Sequence, residues 1–89
     1  MNYENYIKMI LIKNINKIHT TETGYDRIKK NLNIECNPVK YCIDKISDNN
    51  SIVYKKRKNY YCEIDDIIIT INSSSYTIIT ACNFFKNKL

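Results

Sequence analysis

The stretch Asn59-Tyr60-Tyr61-Cys62-Glu63-Ile64-Asp65-Asp66-Ile67-Ile68-Ile69-Thr70-Ile71-Asn72 decides the fold. Most of its residues are β-branched or aromatic, which suits a pleated, half-buried surface. Asp65-Asp66 interrupts it with two residues that tolerate turn conformations, as a two-residue hairpin connection requires. With that turn, Ile64 lies opposite Ile67. Tyr60, Cys62 and Ile64 then share a face with Ile67, Ile69 and Ile71. A one-residue slip would exchange the two faces, so the isoleucine stripe fixes the register.

On either side the same chemistry continues. Ile52 to Tyr54 precedes the stretch and Ser75 to Cys82 follows it, separated by short polar or basic turns. If Ser73-Ser74 is the next turn, Tyr76, Ile78 and Thr80 join the core face. Residues 51–82 are therefore predicted to form a four-stranded antiparallel β-meander. Its opposite face carries Asn59, Tyr61, Glu63, Ile68, Thr70, Asn72, Ser75, Thr77 and Ile79.

Before residue 51 the apolar period is helical. Tyr3, Ile7, Ile10, Asn14 and Ile18, flanked by Tyr6, Leu11 and Ile15, predict an amphipathic helix over Tyr3 to Ile18. Thr20 or Thr21 suits the cap of a second helix, with Glu22 in its first turn and Tyr25, Ile28 and Leu32 as its buried stripe. Gly24 near that start costs about 1 kcal/mol relative to Ala, so a tight backbone approach or a later helix start is expected. Asn37-Pro38 pairs a capping side chain with Pro at the first helical position and opens a third helix, with Val39, Cys42, Ile43 and Ile46 as its apolar face. The fold class is α+β: two to three N-terminal helices packed on one face of the sheet, in a single domain over 1–89. Residues 1–50 form the helical half, 51–82 the sheet, and 83–89 a C-terminal tail. Three helices suffice for one face only, which leaves the second open to solvent or a partner.

With 89 residues there is room for one core and one domain. The formal net charge of +5 favours a polyanionic partner. Composition tempers this: Ile, Asn, Lys and Tyr, all with AT-rich codons, supply 50 of the 89 residues. No basic-then-apolar leader opens the chain, and its longest uninterrupted apolar run is the four residues Met9 to Ile12, far short of the ~20 a membrane span needs. A cytoplasmic location is expected, with no membrane partner and with Cys36, Cys42, Cys62 and Cys82 reduced. The cysteine spacings match no paired zinc pattern, and buried free thiols are the expected state.

Lys55-Lys56-Arg57-Lys58 is the densest charge run. Beside a sheet face bearing Tyr61, Thr70, Asn72 and Thr77, it makes a candidate nucleic-acid surface, in which cations neutralise phosphates and ring and amides engage exposed bases. The competing reading is a solvated turn whose lysines keep an edge strand from aggregating. His19 is the single histidine and has the intrinsic pKa of a general base, although a structural role is commoner for a lone histidine. Arg27 suits a phosphate contact or, more simply, an ion pair. No glycine loop for a nucleotide, no paired carboxylates and no Ser/His/Asp arrangement is present, and Asp65-Asp66 reads as turn chemistry; no metal and no cofactor is predicted.

Two stretches carry a resemblance. One is Ile18-His19-Thr20-Thr21-Glu22-Thr23-Gly24 with Arg27-Ile28 and Asn31-Leu32. The other is Lys58-Asn59-Tyr60-Tyr61 with Ile69-Thr70-Ile71-Asn72 and Ser75-Tyr76-Thr77-Ile78-Ile79-Thr80-Ala81. Together they resemble a family of short bacterial and phage proteins classed as a domain of unknown function, over about Ile15 to Cys82. This chain departs from the family pattern in having Cys82 where His is usual and Arg57 where a Gly is usual. The architecture is also similar to metal-independent ribonuclease toxins of the RelE, barnase and colicin type. That looser similarity implies Lys58, Tyr61, Thr70, Thr77 and His19 as site candidates, with His19, Lys58 and Tyr61 in catalytic roles. Cys82 in place of His argues against an intact catalytic set.

The leading expectation is a small nucleic-acid-binding module, RNA favoured, related to ribonuclease toxins with weakened or absent catalysis. Its binding residues would be Lys55, Lys56, Arg57, Lys58, Tyr61, Thr70, Asn72 and Thr77. A second reading is a phage or prophage inhibitor of a host nucleic-acid-processing protein, of the anti-CRISPR type. A third is a homo-oligomer, a homodimer in its simplest form, joined through an edge strand and without catalysis.

Overall fold

The computed structural model describes residues 2–84; the C-terminal part of the predicted tail, 85–89, lies outside them. Three helices, α1 (Tyr3–Lys13), α2 (Glu22–Leu32) and α3 (Pro38–Ile46), precede four strands. The strands β1 (Ile52–Lys56), β2 (Asn59–Ile64), β3 (Ile67–Asn72) and β4 (Ile78–Asn83) form one antiparallel sheet in the order β1-β2-β3-β4. The predicted α+β meander is therefore the observed fold.

The hairpin that set the register is present. Ile64 pairs with Ile67 and Tyr61 with Thr70. Asp65 and Asp66 both have positive φ, 49° and 64°, as the central residues of a type I′ turn must. Tyr60, Cys62, Ile64, Ile67, Ile69 and Ile71 are all buried on the helix side. They form the core with Ile7 and Leu11 of α1, Ile28 and Leu32 of α2, and Cys42 and Ile46 of α3. α1 lies against β1, α2 against β4, and α3 against α2 and β2.

Both predicted caps are observed. Thr21 Oγ1 accepts from the Gly24 N–H at 3.0 Å, and Asn37 Oδ1 accepts from the Val39 and Lys40 N–H groups. Gly24 proves to be a tight approach: a Cβ there would overlap Oγ1 of Thr20. That hydroxyl in turn donates to the Ile78 carbonyl at 3.0 Å, tying the start of α2 to β4.

Three expectations need correction. The first helix ends at Lys13 rather than Ile18, and Ile15–Lys17 is a single 3₁₀ turn. Asn14 causes the break by bonding back to the Ile10 carbonyl with its side-chain amide, the local competition that disfavours Asn inside helices. Tyr3 and Tyr6, assigned to the apolar stripe, are exposed. Thirdly, the last strand begins at Ile78 rather than Ser75, after a turn over residues 73–75, and Thr80 is not on the core face. A bulge between Thr70 and Ile71 makes Ile71 pair with Ile78 but Thr70 with Thr80. Ala81, opposite Ile69, takes the core position. The extra residue, Ile79, is left half exposed, as a bulge leaves its unpaired residue.

One isolated bridge lies beside the start of β4, outside the four strands. His19 pairs in parallel with Thr77, its N–H donating to the Tyr76 carbonyl and its carbonyl accepting from Ile78 N–H. The chain between the 3₁₀ turn and α2 thus covers the start of β4.

Candidate nucleic-acid interface

The register sorts the outward side chains into three transverse rows. The first runs Lys56, Asn59, Asn72, then Thr77, whose carbonyl accepts the Asn72 N–H, and ends at His19. The second is Tyr54, Tyr61, Thr70 and Thr80; the third is Ile52, Glu63, Ile68 and Cys82. With neighbouring strands ~4.8 Å apart, the first row spans about 19 Å. One row is cationic and hydrogen-bonding, the next aromatic and hydroxylic, the third mainly apolar with a single carboxylate.

The basic run divides. Lys55 and Lys56 close β1, and Arg57-Lys58 is the two-residue turn to Asn59. Arg57 takes a positive φ of 57°, which accounts for a position where glycine would be at ease. Lys56, Arg57 and Lys58, with Asn59 and Tyr61, line an open concavity of ≈ 530 Å³. Lys55 pairs with the inward-facing Tyr60 and belongs to the opposite side, so its expected place beside the other three is corrected. Among the described residues the one salt bridge is Lys45–Asp65, at 2.6 Å. The cations around the concavity therefore form no salt bridge with a described carboxylate. Arg27, exposed on α2, is likewise outside any ion pair there, contrary to the simpler expectation for it.

Tyr61 does not stand alone. Its ring stacks on Tyr54, centroids 5.5 Å apart and planes 19° apart. The Tyr54 hydroxyl donates to Glu63 Oε2 at 2.6 Å. That bond, with burial adding to it, pushes the phenol up to about 12. Neither Tyr54 nor Glu63 was singled out as a site residue from sequence. Reading Arg57-Lys58 as a two-residue turn, by the logic applied to Asp65-Asp66, would have set Tyr54 opposite Tyr61.

Thr70 lies on this face but is only 7% exposed, too enclosed for the partner contact expected of it. Asn72 is committed to its own turn: Oδ1 accepts from Ser74 N–H, Ser75 N–H and Ser75 Oγ. Its amide nitrogen is the part left to meet a ligand. Thr77 Oγ1 is 2.8 Å from Ser75 Oγ and 3.2 Å from His19 Nε2, while His19 Nδ1 is 2.8 Å from the Lys17 carbonyl oxygen.

His19, Lys58 and Tyr61 are not brought together. His19 stands three strand spacings from β2, about 14 Å, and side chains rising perpendicular to a sheet do not converge over that distance. A general base must lie within hydrogen-bond reach of the proton it takes, so these three residues do not compose one catalytic centre. Cys82 sits in the third row, beside Ile68 and away from His19. Among the described residues no cluster of three or more His, Cys, Asp or Glu is placed to hold a metal ion, and no helix is long and apolar enough to cross a membrane.

The family model described as "Protein of unknown function (DUF3781)" matches residues 12–82, nearly the span over which the sequence resemblance was expected. No curated protein and no solved structure matches the chain.

Proposed function

We propose that this chain, which belongs to the DUF3781 family, binds single-stranded nucleic acid, RNA foremost, across the open face of its sheet. The observation that carries this reading is the adjacency of cations that form no salt bridge with a described residue to a stacked aromatic pair: Lys56, Arg57 and Lys58 border the concavity that Tyr61 also lines, and Tyr61 lies on Tyr54. Phosphates would follow the first row, and bases would lie inward on the second. Base stacking on an aromatic ring tolerates any base, and cations supply the sequence-independent part of affinity. The amides of Asn59 and Asn72 and the hydroxyl of Thr77 suit a ribose 2′-OH, which is what distinguishes RNA from DNA. The separation of His19 from Lys58 and Tyr61 supports binding without cleavage.

Fluorescence anisotropy with a labelled single-stranded RNA at a series of salt concentrations tests the reading. Each phosphate neutralised on a single strand contributes about −0.7 to the slope of log K against log salt. Replacing Lys56, Arg57 and Lys58 together by Ala should flatten that slope by about 2, whereas Lys55→Ala should change it much less. Binding that ignores salt, or no binding, would refute the proposal; RNA cleavage abolished by Lys58→Ala would refute its non-catalytic part.

A second reading, an inhibitor that docks on a nucleic-acid-processing protein, draws on a different surface. Tyr3, Tyr6, Met9 and Ile12 are exposed along α1, and large apolar side chains in such number favour a protein partner. Loss of a specific protein complex on Tyr6→Lys and Met9→Lys, with RNA binding intact, would favour it.

A further inference from the structure

On β2 the outward side chains are Asn59, Tyr61 and Glu63. They stand at intervals of about 6.8 Å along the strand: an amide beside the cations, a ring, then a carboxylate. Among the described strand residues Glu63 is the one carboxylate on this face. It forms no salt bridge with a described residue. Its Oε2 takes the Tyr54 hydroxyl, and Oε1 accepts no hydrogen bond from the described residues. The side chain is held in place by a phenol and still offers most of its acceptor capacity.

A carboxylate on a face that binds phosphates weakens their attraction, and an ionised carboxylate only accepts hydrogen bonds. It therefore rewards a base that presents donors and penalises one that presents acceptors. Guanine's Watson–Crick edge presents two adjacent donors, N1–H and the N2 amino group. Adenine and cytosine each set one amino donor beside an acceptor nitrogen, and uracil sets its single N–H between two carbonyls. Only guanine meets a carboxylate with two parallel N–H···O bonds.

Resting on the RNA reading above, we infer that this face selects guanine, with Glu63 the specificity-determining residue and Tyr54 positioning it. The phosphate sits at Lys56, Arg57 and Lys58, the base lies on the Tyr61–Tyr54 stack, and its donor edge reaches Glu63. The spacing along β2 sets these contacts in the order in which a nucleotide presents phosphate, ring and edge.

Anisotropy with three labelled RNA 9-mers tests it: all uridine, the same with one central guanosine, and the same with one central inosine, which keeps N1–H but lacks the amino group. Wild type should bind the guanosine oligomer about tenfold more tightly than the uridine one, with inosine between. E63Q keeps an acceptor for Tyr54, so its thermal midpoint serves as the check on folding. In E63Q the guanosine preference should collapse towards one while affinity for the uridine oligomer rises, because a repelling charge is gone. Y54F should lower the preference, because it removes the phenol that positions Glu63. Salt-dependent binding of all three oligomers with equal affinity would overturn the guanine inference and leave the RNA reading standing. So would a preference that survives E63Q. Failure to bind any of the three would overturn both.

Discussion

The Thr77 hydroxyl meets His19 Nε2 at 3.2 Å, while the other ring nitrogen of His19 lies 2.8 Å from the Lys17 carbonyl oxygen. A carbonyl oxygen can only accept, so Nδ1 must carry the proton, and in the neutral ring Nε2 accepts from Thr77. This fixes the tautomer of a histidine that joins the chain before α2 to the start of β4. Nitrogen-15 chemical shifts of the neutral imidazole should show the Nδ1–H form. Thr77→Val should leave that tautomer in place, since the Lys17 contact alone selects it. A predominant Nε2–H form would mean that the Lys17 contact is not made in solution.

Gly24 and Thr20 form a second coupled pair. In an exposed helix, Ala in place of Gly is worth about 1 kcal/mol. Here the added Cβ would strike Thr20 Oγ1, which is held on the Ile78 carbonyl. Relieving the overlap by rotating Thr20 surrenders that bond, a net loss of about 1 kcal/mol. Gly24→Ala should therefore fail to stabilise the wild type, and should stabilise a Thr20→Ala background by about 1 kcal/mol. Denaturant titration of the four proteins in the cycle measures the coupling. An equal effect in both backgrounds would show that the two residues act independently.

The thiols predict a pH effect. Burial raises Cys42 to about 12 and Cys62 to about 11 from an ordinary value of 9.0, the nearness of Cys62 adding to the rise at Cys42. In the unfolded chain both ionise near 9, so above that pH the unfolded state binds fewer protons than the folded one. Stability is then fully present below pH 9 and is lost as pH rises towards 11–12, by up to 1.4 kcal/mol per pH unit for each thiol. Between pH 8 and pH 10.5, Cys42→Ala should lose about 2 kcal/mol less than wild type in urea unfolding. Thiol reagents at neutral pH should modify the exposed Cys36 first and reach Cys42 and Cys62 only on unfolding.

The Asp65-Asp66 turn offers a stabilising change. An L-residue in the left-handed region costs about 1–2 kcal/mol relative to its ordinary conformations, less for Asp than for most. Both residues pay it. Asp65 is also bonded to Lys45, whereas the Asp66 contact with Phe84 is made through its backbone carbonyl. Asp66→Gly keeps both contacts and gives the Asp-Gly pair favoured in type I′ turns. It should raise stability by about 0.5–1 kcal/mol, read as a higher urea midpoint at unchanged slope.

Some of this was legible in the sequence because it is local. Asn37-Pro38 marks its helix start by chemistry alone, and the isoleucine alternation about Asp65-Asp66 permits one register only. The bulge at Thr70 was not legible: no Gly announces it, and Tyr76, unexpectedly, is the residue with positive φ in the preceding loop. The His19–Thr77 bridge joins residues 58 apart in sequence, and no periodicity reports such a pairing. Of the expected site, Tyr61, Asn72, Thr77, Lys56, Arg57 and Lys58 do share one face or its rim. Lys55 fell on the other side because strand β1 runs on into the basic run, where alternation sends neighbouring lysines to opposite faces.

Ring and cation should separate cleanly in the binding data. On the proposed reading Tyr61 would offer a π-face to a base, an interaction that salt hardly touches, whereas Lys58 would release a counterion on meeting a phosphate. Tyr61→Ala should weaken RNA binding by about 1–3 kcal/mol at every salt concentration, leaving the salt slope unchanged. Lys58→Ala should reduce the slope by about 0.7 and lose its effect at high salt. Tyr54→Ala should behave as a weaker Tyr61→Ala, because Tyr54 backs the ring on which the base would lie. A Tyr61→Ala protein that binds like wild type would place the bases elsewhere and leave the sheet face with no role in recognition.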